Sequence, residues 1–198
     1  MEYNLITNEL PKEITLQNGE RIALYTWTAR AIDAIAVLMD KDIEDSVKAS
    51  YIVSRLTYAS TDQCANYKME IFQLVLDYLK GAPNPEYEPS GLPYSDEPSI
   101  YWNLDAPAIT ASFRQAYGIS LADLQKMHWW EFKTLLMNIP SDTRMGSLMA
   151  TRARVIPSKA KGEEKLKEEK IKKAARPKDT RTLEQKEADA HNQLASIL

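Results

Sequence analysis

Five prolines fall within eighteen residues, at 83, 85, 89, 93 and 98, with Gly91 and four acidic residues among them. Proline fixes φ and removes a backbone donor, so neither a helix nor a central strand persists through such a stretch. The chain of 198 residues must therefore be built in parts. The sequence predicts an N-terminal part over 1–81 and an acidic, Pro-rich linker or loop over 82–99. A second helical part follows over 100–156, then a charged tail over 157–198.

The first part opens with a predicted hairpin. Ile14 and Leu16 alternate with polar residues, Ile22 and Leu24 do the same, and Asn18-Gly19 stands between the two runs. That dipeptide suits a two-residue type I′ turn, in which both residues take positive φ. Helices follow. Ala29, Ile32, Ile35, Ala36 and Met39 recur with helical period, and Asp45 or Ser46 can cap a second helix carrying Val47, Tyr51, Ser54 and Tyr58 on one face. A third helix over 63–80 presents Met69, Phe72, Val75, Leu76 and Leu79, and Gly81 followed by Pro83 stops it.

Beyond the linker, Asp105 can cap a helix with Pro107 in its first turn and Ile109, Phe113, Ala116 and Tyr117 on its apolar face. Ser120 opens another, on which Leu121, Leu124, His128, Leu135 and Ile139 form one stripe, broadened by Trp129, Phe132 and Leu136. Ser141 or Asp142 caps a last helix with Met145, Leu148 and Met149, closed by Arg152 and Arg154 at its negative end. The predicted fold class is mainly α: a helical bundle with a small N-terminal β-hairpin and a charged helical or disordered C-terminal tail.

Charge and aromatics follow the same division. Residues 1–156 carry 14 Lys and Arg against 20 Asp and Glu, and all 17 aromatics; residues 157–198 carry 11 against 8. In the tail, lysines alternate with Glu163, Glu164, Glu168 and Glu169, which repel phosphate, and no aromatic is present to stack a base. The tail thus reads as a solvated or partner-docking helix, with Leu183, Leu194, Ile197 and Leu198 as sparse anchors, and nucleic acid is not expected as a partner.

Chemistry is sparse. One Cys excludes a disulfide framework, and two His, at 128 and 191, cannot build a His-rich metal site. No phosphate-binding loop, metalloprotease helix or nucleophile elbow occurs, so neither a cofactor nor catalysis is expected. Cys64 reads as a small packed residue. The start of the chain has no basic segment leading into an apolar core, and the longest apolar run, Ala34–Met39, is too short to cross a bilayer. An intracellular, reducing compartment and no membrane are expected. Trp129 and Trp130 are adjacent and point about 100° apart on a helix. One of them can pack inward while the other lines a groove or reaches the N-terminal part.

The segment Tyr101–Arg154 carries a more specific pattern: Ala111-Ser112-Phe113, Gln115-Ala116-Tyr117-Gly118-Ile119, His128-Trp129-Trp130-Glu131-Phe132-Lys133, Leu135-Leu136, Thr143 and Arg152. Leu10-Pro11, the hairpin, and a helix ending in Met39-Asp40 extend it. Over residues 4–156 the chain resembles a bacteriophage family named for gene product fifteen of a long-tailed phage of Gram-positive bacteria. Met127 stands where the family usually has Leu, and Glu131 where a basic residue often follows the Trp pair.

The resemblance implies a tail assembly chaperone of a siphovirus. Such a protein binds the tape measure protein, and with it tail tube subunits, in the host cytoplasm, and is absent from the finished virion. A structural tail or connector component of the virion is the alternative. Chaperones that coat a rod often self-associate. The motif residues and candidate partner-binding residues are Phe113, Tyr117, His128, Trp129, Trp130, Phe132 and Arg152.

Overall fold

The structure is a computed structural model that describes residues 5–83, 95, 98–102, 104–156, 161–178 and 182. Most of the Pro-rich stretch, and the Leu183, Leu194, Ile197 and Leu198 anchors, lie outside the described residues. The fold is mainly helical, with one two-stranded antiparallel sheet near the N-terminus. Among the described residues, no helix is long and apolar enough to cross a membrane.

The chain forms two compact units. The first takes its described core from 5–83 and 122–135, the second from 95–121 and 136–178. The sequence division at the Pro-rich stretch puts the His-Trp-Trp segment with the second part. The structure groups that segment with the hairpin and the first three helices.

In the first unit, β1 (Glu13–Thr15) pairs with β2 (Arg21–Ala23) in the register Ile14↔Ile22, which turns both isoleucines inward. The connection differs from the expected type I′ turn. Only Gly19 takes positive φ, at 88°, while Asn18 does not. Gly19 N–H donates to Leu16 O at 2.9 Å, and Leu16 N–H to Glu20 O at 2.8 Å. These bonds make a three-residue loop ending in a glycine bulge. Asn18 uses its side chain instead of its backbone: Oδ1 accepts from Glu20 N at 2.9 Å.

Helices α1 (Thr28–Met39), α2 (Asp45–Leu56) and α3 (Thr61–Leu79) pack in sequence, α1 on α2 and α2 on α3. Their buried faces are rotated from the expected ones. α1 buries Thr28, Ala31, Ala34, Ile35 and Val37, and leaves Ala29 and Met39 exposed. The cause is local. Thr28 donates both its N–H and its hydroxyl to Met127 O, each at 2.9 Å, and this anchor sets the rotation of the helix.

α2 likewise buries Ala49, Tyr51, Ile52, Val53 and Leu56, and turns Ser54 outward. Neither Asp45 nor Ser46 caps it: Glu44 stands at the N-cap and makes no side-chain cap bond. α3 starts two residues earlier than the periodicity predicts, because Ser60 and Gln63 form a reciprocal capping box. Met69 of the expected apolar side is exposed, while Ile71, Val75, Tyr78 and Leu79 are buried.

The expected continuous stripe from Leu121 to Ile139 is interrupted. α5 (Leu121–Lys126) ends before Met127, and α6 (Trp129–Met137) begins after His128. Backbone pairing takes the residues between: Thr28 N–H binds Met127 O, Trp129 N–H binds Thr26 O at 2.8 Å, and Trp27 and His128 form an antiparallel bridge. A helix cannot run through residues whose amides and carbonyls are committed elsewhere.

In the second unit, α4 (Ala106–Tyr117) packs on α7 (Arg144–Ala153), and α7 on α8 (Glu163–Ala175). Ile109, Ser112 and Phe113 of α4 and Met145, Gly146, Leu148 and Arg152 of α7 are buried. Ser112 Oγ accepts from Met145 N at 2.8 Å inside that packing. The cap of α7 is Thr143, not Ser141 or Asp142; its Oγ1 accepts from Gly146 N at 3.1 Å and donates to Pro140 O at 2.7 Å. The charged tail forms α8, which is mostly exposed and buries Ala175 at its end.

Candidate functional site

The residues singled out from the sequence gather in two places, one in each unit. In the first unit the focus is the C-terminal end of α3. The last carbonyls of a helix have no partner within it. Lys80 N–H serves Leu76 O and Asp77 O, and Gly81 N–H serves Tyr78 O at 3.1 Å. Side chains of α6 then serve three successive carbonyls. Trp130 Nε1 donates to Tyr78 O at 2.8 Å, Trp129 Nε1 to Leu79 O at 3.0 Å, and Lys133 Nζ to Lys80 O.

The two adjacent indoles therefore do the same task on adjacent carbonyls. The lysine adds a cation at the negative end of the helix dipole. Burial lowers the Lys133 pKa from its ordinary value. Gly81 makes the approach possible. Its φ is 87°, and a Cβ there would meet Cδ of Lys133 at 2.7 Å.

Apolar packing surrounds these bonds. Trp129 and Phe132 are fully buried and stack with centroids 5.6 Å apart. Trp130, half-buried, lies parallel to Tyr78 at 6.1 Å. The Tyr78 hydroxyl is buried without a hydrogen-bond partner among the described residues, and burial raises its pKa.

His128 acts at the start of α6. Its carbonyl accepts the Phe132 N–H at 3.0 Å, and its Nδ1 accepts the Trp130 N–H at 3.1 Å, so the imidazole is the side-chain cap of α6. An accepting Nδ1 carries no proton. Nε2 is then the protonated nitrogen and donates to Pro11 O at 2.9 Å. Burial lowers the pKa of His128, opposed by the Pro11 bond and by Glu131; Lys12 lowers it further. The ring thus ties the segment before the hairpin to the Trp pair as a neutral cap.

The second focus is Arg152, which is 1% exposed. Its guanidinium binds Asp105 in a bidentate fork, Nη1 to Oδ2 at 2.5 Å and Nη2 to Oδ1 at 2.9 Å. Nη1 also donates to Ser99 O at 3.0 Å, and Nε to Ala175 O at 2.9 Å. The Tyr101 ring lies 4.9 Å from the guanidinium carbon. One buried side chain therefore joins α7, the start of α4, the 99–101 segment and the end of α8.

Asp105 stands at the N-cap of α4 as expected but makes no side-chain cap bond; its carboxylate serves Arg152 and the Tyr101 N–H instead. Arg152, expected to close α7 at its negative end, is a buried lock. Phe113 is buried and meets Tyr117 edge-on at 5.5 Å. Tyr117 is half-buried, with its hydroxyl 3.4 Å from Asn138 O.

Sequence reasoning did not single out Lys133, Tyr78 or Asp105 for these roles. Their partners lie about fifty residues away in the chain, and no local pattern marks such a pairing.

The chain matches the family model of the Bacteriophage Gp15 protein over residues 6–176. It belongs to that family, and it is a bacteriophage structural or morphogenesis protein. The match passes Pro157 and takes in α8, so the family extends further along the chain than the 4–156 resemblance. No curated protein and no solved structure matches the chain.

Proposed function

We propose that this protein is a tail assembly chaperone. It binds the tape measure protein, keeps it dispersed in the host cytoplasm, helps bring tail tube subunits to it, and leaves before the virion is complete. It performs no catalysis and needs no cofactor in this role. The observation that carries the reading is membership of the Gp15 family over residues 6–176, which include the Trp pair and the Arg152 lock.

Physical chemistry supports it. A tape measure is a long chain whose apolar stripes aggregate until a tube encloses them. A helical protein with well-supported helix ends and adaptable apolar side chains on its surface can cover such stripes. Met39 and Met69 of the first unit are 59% and 66% exposed, and methionine fits irregular apolar partners. The fully buried motif residues Phe113, Trp129, Phe132 and Arg152 support the fold that presents such a surface. Trp130 and Tyr117, half-buried, are the motif aromatics with surface left to offer. Self-association along the tape measure belongs to the same reading.

Co-expression with the tape measure protein of the same phage tests it. The expected result is a soluble complex that co-elutes, with the tape measure insoluble when expressed alone. Unchanged tape measure solubility and no co-elution would sink the reading. Stoichiometric amounts of this protein in purified particles, read by mass spectrometry, would establish the alternative of a structural tail or connector component.

A further inference from the structure

The second unit holds a cleft of about 400 Å³. Ala108 and Ala111 of α4 form one wall, and Arg144 and Leu148 of α7 the other. Each pair sits about one helical turn apart, so both walls present a continuous face. The end of α8 contributes Ala175 and Arg176. The alanines leave the volume that longer side chains would fill.

Charge is distributed unevenly around this space. Asp105 is the carboxylate among the described lining residues, and the Arg152 fork already matches it. Arg144 of α7 is exposed, and Arg176, which follows the last residue of α8, also lines the space. Among the described residues, the cleft therefore combines an aliphatic lining with the exposed cation of Arg144, on a chain whose net charge is −3. No aromatic residue lines it among the described residues, so it offers no platform for stacking a base.

The geometry points to a docking site for a carboxylate-bearing aliphatic segment of a partner protein. One or two aliphatic side chains fill the space between Ala108, Ala111 and Leu148. A neighbouring Asp or Glu of the same segment pairs with Arg144 at the rim, where a planar guanidinium can take a carboxylate in two hydrogen bonds. Aliphatic burial supplies affinity, and the charge selects acidic over basic partners. This assignment rests on the reading of the protein as one that binds a partner chain, and it names a surface for that binding.

The test selects binders to the full-length protein from a displayed library of random twelve-residue peptides. Selected peptides are then synthesised with a fluorescent label, and their affinities are measured for wild type, Arg144→Glu and Ala111→Trp. Enrichment of Asp or Glu beside Leu, Ile or Val is expected, with at least a tenfold loss of affinity in each variant and none in the surface control Lys126→Glu. Arg144 is exposed, so its substitution reports on docking even if Ala111→Trp disturbs the fold.

Absence of enrichment, enrichment without acidic residues, or affinities unchanged in both variants would overturn the assignment. Arg144-dependent displacement of the peptides by a single-stranded oligonucleotide would give the cleft to nucleic acid instead. The two proposals fail separately. A tape measure complex that forms equally well with both variants removes the cleft and keeps the chaperone. Peptide docking at the cleft without any tape measure complex does the reverse.

Discussion

The two units secure helix ends by opposite means. The first closes the end of α3 with neutral indole N–H groups and one half-buried lysine, and the donors that reach it are themselves large apolar bodies. The second joins three helices through a buried ion pair whose members contribute little apolar surface. In the first, burial of Trp129 and Phe132 adds hydrophobic stabilisation to the hydrogen bonds. In the second, desolvation of two charges offsets much of their attraction, and what the pair supplies is a fixed geometry for four chain segments. The lesson is that an ion pair of this kind is costly to break while contributing modestly when intact. An aromatic clamp degrades in steps as its parts are removed.

Arg152 gives the largest expected effect. Arg152→Met leaves Asp105 buried without its partner, which costs about 3–5 kcal/mol. Hydrogen exchange by mass spectrometry, which reports on each unit separately, should show faster exchange through α4, α7 and α8, with α1 to α3 spared. Adding Asp105→Leu to that variant should recover most of the loss, because the uncompensated charge is then gone. A double variant no better than the single one would mean that the pair stabilises the second unit outright, and the contrast between the units would collapse.

Trp129 comes next. Trp129→Phe keeps an aromatic ring in the core but removes the donor to Leu79 O. A buried acceptor left unsatisfied costs about 1–3 kcal/mol. Exchange should quicken at the end of α3 and in α6, with α7 and α8 spared. A loss equal to that of Arg152→Met would show that the indole bond, rather than the surrounding apolar packing, holds the clamp. No loss would show that the packing suffices alone.

Local chemistry was legible in the sequence, and distant commitments of the same residues were not. The hairpin is where alternation placed it, but its loop differs because Asn18 bonds forward to Glu20 through its side chain. Gly81 stops α3 as expected, since a positive φ after a helix is a local demand. Ser60 and Gln63 spell out a capping box that helical periodicity alone passes over.

The helix break at Met127-His128 has no local signal, because its cause is the pairing of that backbone with residues 26–28. The rotation of α1 has the same origin in Thr28. In the candidate sites the motif residues were found, yet their work was not: Trp129 and Trp130 reach carbonyls of 79 and 78, and Arg152 reaches Asp105. Adjacent tryptophans on one helix signalled two different directions, and the structure answers that both end on the same helix terminus.

The smallest effect separates the units by proton sensitivity. His128 caps α6 only as a neutral ring, because its Nδ1 must accept the Trp130 N–H. Burial lowers its folded-state pKa below the unfolded value of about 6.5. The unfolded chain therefore binds this proton first as pH falls. Its contribution is complete above about pH 6.5, declines below that toward the folded pKa, and is constant once both states are protonated. The chain's two histidines, at 128 and 191, both fall outside the second unit, so that unit has no imidazole counterpart to the effect. His128→Asn supplies an oxygen that can accept the same N–H at every pH, while giving up the bond to Pro11 O. The stability difference between wild type and His128→Asn, read from urea midpoints between pH 8 and pH 5, should move in favour of the variant on acidification. The expected change is about 1 kcal/mol, the worth of one hydrogen bond. A difference that stays constant across that range would show that the imidazole is held by its bond to Pro11 O and by the Tyr78 ring, which it meets edge-on at 6.1 Å, and the units would then not differ in this respect.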